Sequence, residues 1–156
     1  LWLLARTSKG IAESTSSDKG QTWTVFKKSP TISHPSARFF VQRLASGNLL
    51  LIKHGTEINK HTGREALSAW LSVDDGATWS GGLVIDHRKN VSYPDGFQAP
   101  DGSIYISYDW RRGSKGHILY AKFTEADVIA AELVNQESRI MQPIMIPGRL
   151  NHRDHQ

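Results

Sequence analysis

Cysteine is missing from all 156 residues, so the chain has no disulfides and no thiolate metal sites, while its compartment stays open. No apolar run approaches the ~20 residues that span a bilayer, which excludes a transmembrane helix. The opening LWLLART has no basic lead-in and no small-residue cleavage site, so it reads as a strand entered partway along, not as a signal peptide. Lys and Arg outnumber Asp and Glu, 19 to 15, giving a formal charge of +4. The longest basic runs are only pairs (KK, RR, RK), without the cluster that nucleic-acid binding needs. An anionic ligand remains compatible with this balance. A hydrophobic share of 38% with five Trp, four Tyr and five Phe supports one ordinary core, and the length leaves little room for a second.

What is present is a repeat. SSDKGQTW at Ser16–Trp23 and SVDDGATW at Ser72–Trp79 share the frame Ser-x-Asp-x-Gly-x-Thr-Trp, fifty-six residues apart. LASGNLLLI (Leu44–Ile52) and APDGSIYIS (Ala99–Ser107) recur at nearly the same offset, with Gly47 and Gly102 fifty-five apart. Two features repeating in one register mark a structural unit of about fifty-five residues. Each unit reads as short strands between turns: 39–44, 49–53, 66–72 and 82–85, then 92–98, 104–109 and 117–123. Four short strands per repeat favour propeller blades over a sandwich. Thr124, with Asp127 three residues on, is a capping-box start for a short helix. The pattern fades after Leu133, which makes 134–156 a tail expected to lack regular order and 1–133 the propeller portion. About three blades fit, fewer than the four a closed propeller needs, and the first lacks its innermost strand. The chain is therefore expected to be the C-terminal half of a larger ring.

The frame has a hairpin chemistry. Asp and Ser side chains cap backbone N–H groups, Gly takes the positive φ, and Trp packs the returning strand on its blade. It resembles the Asp-box (BNR repeat) of the sialidase, or neuraminidase, superfamily, where the box is architectural and lies away from the chemistry.

The resemblance extends through GREALSAWLSVDDGATW and on to SYPDG and SYD, and covers roughly Trp2–Ala131. It implies a six-bladed propeller and an exo-sialidase-type retaining glycoside hydrolase acting on terminal sialic acid. Arg64, eight residues before the second box, matches the third arginine of the family's triad. Arg6, in LLARTSKG, resembles the second. Tyr93 matches the nucleophile, and Asp109 takes the place of the glutamate that orients the first arginine. Two positions depart from the family pattern: Pro94 follows Tyr93 where serine is usual, and Asp109 is shorter than glutamate. The first arginine, the acid/base aspartate and the glutamate that activates the tyrosine would all lie upstream of Leu1.

The chemistry suits these residue types. A sialoside carries a carboxylate on its anomeric carbon, so a neutral phenol approaches it more easily than a carboxylate nucleophile would. Guanidinium forks hold that carboxylate, each charged hydrogen bond contributing roughly 1.5–3 kcal/mol. A phenol with a pKa near 10 needs activation by a neighbour. Taken singly, an arginine at a strand end is a solvated charge and a tyrosine entering a strand is core packing. It is their joint placement against two boxes and two Gly turns that points to a site.

Arg38 occupies Tyr93's position one repeat earlier and is open to two readings, substrate contact or inter-blade ion pair. Lys53, His54 and Asp95 read as surface groups near the site, and Arg111 and Arg112 as loop charges. HRDH at 152–155 is too short for a zinc helix. The resemblance implies no metal or organic cofactor, a sialylated or other acidic glycan as partner, and neither nucleic acid nor membrane. Two other readings stay open: a propeller that binds glycans without cleaving them, and an enzyme of this scaffold acting on another acidic sugar.

Overall fold

The computed structural model describes residues 1–113 and 116–146. Its strands are β1 (Trp2–Thr7), β2 (Gly10–Thr15), β3 (Lys27–Lys28), β4 (Phe40–Arg43), β5 (Leu49–His54), β6 (Glu65–Ser72), β7 (Ser80–Lys89), β8 (Val91–Gln98), β9 (Ile104–Trp110), β10 (His117–Phe123) and β11 (Arg139–Met145). One helix, α1 (Glu125–Ala130), lies between the last two. They form three antiparallel meanders: β1 to β3, β4 to β7, and β8 to β11. The result is an all-β partial propeller, with β4 and β8 opening the two complete sheets.

The middle sheet is covered on both faces, which explains why β5 reads Leu-Leu-Leu-Ile without polar alternation. Leu50, Ile52, Leu67, Ala69 and Leu71 pack with Ile104, Ile106, Leu119 and Phe123 of the third sheet. Leu51 and Trp70, of opposite pleat, pack with Ile11, Ile32 and Trp2 on the first sheet's side. Burial of an aliphatic side chain stabilises by roughly 1.5–3 kcal/mol, so these two interfaces dominate cohesion.

Both boxes close the same way. Ser16 Oγ donates to Asp18 Oδ1 and accepts from Gly20 N–H, while Asp18 accepts from Thr22 N–H and Oγ1. Ser72, Asp74, Gly76 and Thr78 repeat the pattern. Left-handed backbone falls on two consecutive residues in each, Lys19 with Gly20 and Asp75 with Gly76. The hydroxyl and backbone bonds from Thr78 hold the Asp74 carboxyl down at about 2. The second box also seats the neighbouring sheet, since a Cβ on Gly76 would stand 2.9 Å from the Trp2 ring.

The third sheet has no box. In its place, Thr124 caps α1 in a capping box with Asp127. The fully buried Asp127 carboxylate also accepts from Val134 N–H, Asn135 N–H and Ser138 Oγ. A carboxylate therefore staples the connection into the last strand of each sheet. Beyond this staple the expectation of a tail from 134 onward is corrected: β11 pairs antiparallel with β10 over 139–145. Its sequence, RIMQPIM, carries a proline and a left-handed Met141, which masks the strand pattern. Residues 152–155, the HRDH segment, lie outside the described residues.

Candidate functional site

The site begins with a defect in β8. Ser92 pairs with Asp109 and Asp95 with Ser107, so Tyr93 and Pro94 together oppose the single Tyr108. The extra residue is a β-bulge, which turns a side chain out of the pleat. Pro94 has no N–H to lose from the ladder. Tyr93 itself sits at φ 55°, a left-handed conformation that a bulky L-residue adopts only when its surroundings impose it. Its ring is half-buried, at the rim rather than inside the core.

Two cations meet the Tyr93 phenol. The Arg112 guanidinium, just past β9, lies 3.9 Å from the ring centroid. Hydrogen bonds from Arg112 first, and then from Arg6 on β1, hold the phenol below its ordinary value. The same contact raises Arg112, with the Tyr93 hydrogen bond as the leading cause. Arginines from the first and third sheets thus act on one phenol.

Arg64 approaches from the middle sheet. Its Nη1 donates to Ser92 Oγ at 3.2 Å and its Nη2 to Ser36 O at 3.1 Å, which straps the residue before Tyr93 to the segment entering β4. The backbone continues the brace: Asn90 N–H donates to Arg64 O and Arg111 N–H to Asn90 O. Arg64, Asn90, Ser92, Asp109, Arg111 and Arg112 line a cleft of ≈ 380 Å³ beside the tyrosine.

Asp109 closes that cleft. Burial pushes its carboxyl up, and Arg112 and Arg64 pull against it. Its Oδ2 stands 3.8 Å from Arg112 Nε, while Oδ1 is buried with no hydrogen-bond partner among the described residues. An unpartnered buried carboxylate oxygen is costly and is a mark of functional placement.

The structure thus brings Tyr93, Arg6, Arg64 and Asp109 to one rim, and adds Arg112, which the sequence reading left as a loop charge. The available signal was its place three residues after Asp109, leaving the strand next to β8. Arg38 does not reach the phenol; its Nη2 pairs with Asp95 Oδ2 at 2.8 Å, an ion pair between sheets. Both side chains of that pair are exposed. The surface reading of Lys53 and His54 is corrected, because both are completely buried. Lys53 Nζ donates to Glu57 O and Lys60 O, and burial draws it down to about 8. His54 bonds Val91 O through Nε2 and His34 Nε2 through Nδ1, so it props the start of β8 from beneath. Burial holds that histidine down at about 4 and keeps it uncharged at neutral pH.

Among the described residues no group of three His, Asp or Glu is arranged to hold a metal ion. Chemically, the arrangement offers a phenol with cations on its oxygen and an arginine-lined cleft next to it. That combination accepts a carboxylate and stabilises negative charge developing on the phenol. A family model described as a BNR repeat-like domain matches residues 1–106, a span that contains Arg6, Arg38, Arg64 and Tyr93 and ends before Asp109. No curated protein matches the chain.

Proposed function

The chain belongs to the BNR repeat-like domain family, and from that premise we propose that it forms one side of the active site of an exo-sialidase-type retaining glycoside hydrolase. The observation that carries this reading is the Tyr93 phenol, bulged out of β8 and flanked by guanidinium groups beside an arginine-lined cleft.

Arg6 and Arg64 hold the carboxylate of a terminal sialic acid, or of a related sugar acid, and so present its anomeric carbon to Tyr93. Tyr93 Oη gives its proton to the activating glutamate and forms the bond to that carbon as the glycosidic C–O bond breaks, and the departing oxygen takes a proton from the acid/base aspartate. Water then attacks the same carbon, the Tyr–sugar bond breaks, and the electron pair returns to Tyr93 Oη. The unpartnered Asp109 Oδ1 fits the role of orienting a further arginine. That arginine, the acid/base aspartate and the activating glutamate are assigned to sheets beyond this chain. Accordingly the chain binds the sugar acid without turning it over.

The test is an NMR titration of the chain with free sialic acid, with galactose as the neutral control. A carboxylate held by two charged hydrogen bonds of roughly 1.5–3 kcal/mol each supports binding on the order of 1 mM. Arg6→Gln should weaken it about tenfold or more. Equal binding of galactose would sink the reading. Hydrolysis of a fluorogenic sialoside by the chain alone would overturn the assignment of acid and base to other sheets.

A purely glycan-binding role has one observation in its favour. Among the described residues, the side chains that perturb the Tyr93 phenol are the arginines Arg112 and Arg6, and no carboxylate is among them.

A further inference from the structure

We propose that Arg112 is the positioning residue of Tyr93: its guanidinium clamps the ring face, fixes the bulged conformation and places a fixed cation at the phenol oxygen. This rests on the reading of Tyr93 as the nucleophile, and no part of the family match assigns it, since the matched residues end at 106.

Three independent features of the geometry point to it. First, Tyr93 lies in a two-against-one register slip on the edge strand β8, so only one strand, β9, flanks it and the regular pleat is broken there. The guanidinium 3.9 Å away is within the range at which a cation–π contact stabilises, roughly 0.5–1 kcal/mol at an exposed site. Second, Arg112 is itself aimed. Its Nε faces Asp109 Oδ2 at 3.8 Å, an i,i+3 pair across the end of β9, and the Asp109 side chain is only 15% exposed. The anchor is mostly buried, whereas the Arg112 side chain is 56% exposed. Third, Arg112 lines the same cleft as Arg64, which straps Ser92, the residue before Tyr93. Ring, strand and cleft wall are held together by two arginines from different sheets.

The charged surroundings of the phenol are then Arg6 from β1, Arg112 after β9 with Asp109 behind it, Arg64 at the entrance to β6, and the Arg38–Asp95 pair two residues along β8. Hydrogen bonds from Arg112, ahead of those from Arg6, depress the Tyr93 phenol, consistent with this order of importance. In a retaining mechanism the tyrosine oxygen is charged both as it attacks and as it departs from the sugar. A cation fixed on it serves both steps.

Tyrosinate absorbance reads the proposal without any substrate, so it stands or falls separately from the glycosidase reading. Subtracting the pH titration of Tyr93→Phe from that of the wild-type chain isolates Tyr93. The buried Tyr108 does not interfere, because burial pushes it far above the others. The isolated transition should lie below the ordinary tyrosine value of about 10. In Arg112→Gln it should move up toward that value, and Arg112→Lys should restore part of the depression. A Tyr93 transition that stays put in Arg112→Gln overturns the proposal. Should that variant fail to fold, the wild-type chain decides: nuclear Overhauser contacts between the Tyr93 ring and the Arg112 side chain support the clamp, and their absence refutes it.

Discussion

Replacing Asp127 with asparagine tests the claim that the third sheet is stapled by a carboxylate in place of a box. Asp127 is 0% exposed, and its two oxygens accept from five donors. Oδ2 takes Thr124 N–H at 2.7 Å, Thr124 Oγ1 at 2.8 Å and Ser138 Oγ at 2.6 Å. Oδ1 takes Val134 N–H at 2.7 Å and Asn135 N–H at 2.9 Å. In Asp127→Asn one oxygen survives for the two backbone donors of 134 and 135. The new amide group then faces Thr124 N–H donor to donor. The two hydroxyls can rotate to accept from it, but the helix N-terminus loses its charged cap. One unsatisfied buried N–H costs about 1–3 kcal/mol and a lost cap about 1 kcal/mol, so a total of roughly 2–4 kcal/mol is expected.

The pH dependence gives an independent figure. Burial by itself would raise the Asp127 carboxyl, yet bonds from Ser138, Asn135 and Thr124 override it and hold it down at about 2, against an ordinary 3.8. A depressed folded pKa means the stabilisation is complete above the ordinary value and is lost as pH falls toward 2. The difference corresponds to about 2 kcal/mol, in line with the bond count. Urea melts followed by circular dichroism at pH 7, 5 and 3 provide the assay. The gap between wild type and Asp127→Asn should be widest at pH 7 and narrow at pH 3. A variant as stable as wild type at pH 7, or a gap that ignores pH, would refute the staple.

Two further outcomes follow from the packing. Burial keeps the Asp109 carboxyl above its ordinary value, so its folded state binds a proton more tightly and its ionised form is a cost at neutral pH. Asp109→Asn should therefore leave the thermal midpoint at pH 7 unchanged or higher, and any advantage should shrink as pH falls. A marked drop in midpoint would show the carboxylate to be structural. Gly76→Ala and Gly20→Ala both meet φ near +90°, a strain of about 1 kcal/mol. Only at Gly76 does the new methyl strike an aromatic ring, at 2.9 Å from Trp2, against 3.4 Å from the Leu1 side chain at Gly20. Thermal melts should show Gly76→Ala as the more destabilised of the two by about 1–3 kcal/mol, with equal losses counting against an inter-sheet role for the second box.

What the sequence revealed and what it hid divide along one physical line. Both boxes, the two Gly turns and the Thr124–Asp127 capping box are local devices whose bonds span four residues or fewer, so their residue types declare them. The strand ends of β5, β6 and β8 to β10 were legible for the same reason. Burial of Lys53 and His54 was not, because it depends on two neighbouring sheets covering both faces of β5, and a strand end next to Gly55 reads as surface without them. Arg112 was hidden by a subtler effect. An unbroken β8 would carry Tyr93 on a regular pleat, and an arginine in the loop after β9 would then have no ring to meet. One inserted residue turns the tyrosine to the rim, where that arginine lies 3.9 Å from its ring centroid. Pro94, which cannot donate to the ladder, is the residue that makes the slip inexpensive, so the departure from the expected serine after the tyrosine coincides with the arginine clamp. If the bulge is what presents the ring, Pro94→Ser, which restores a ladder donor, should raise the Tyr93 tyrosinate transition toward its ordinary value, and a transition left in place would refute the link.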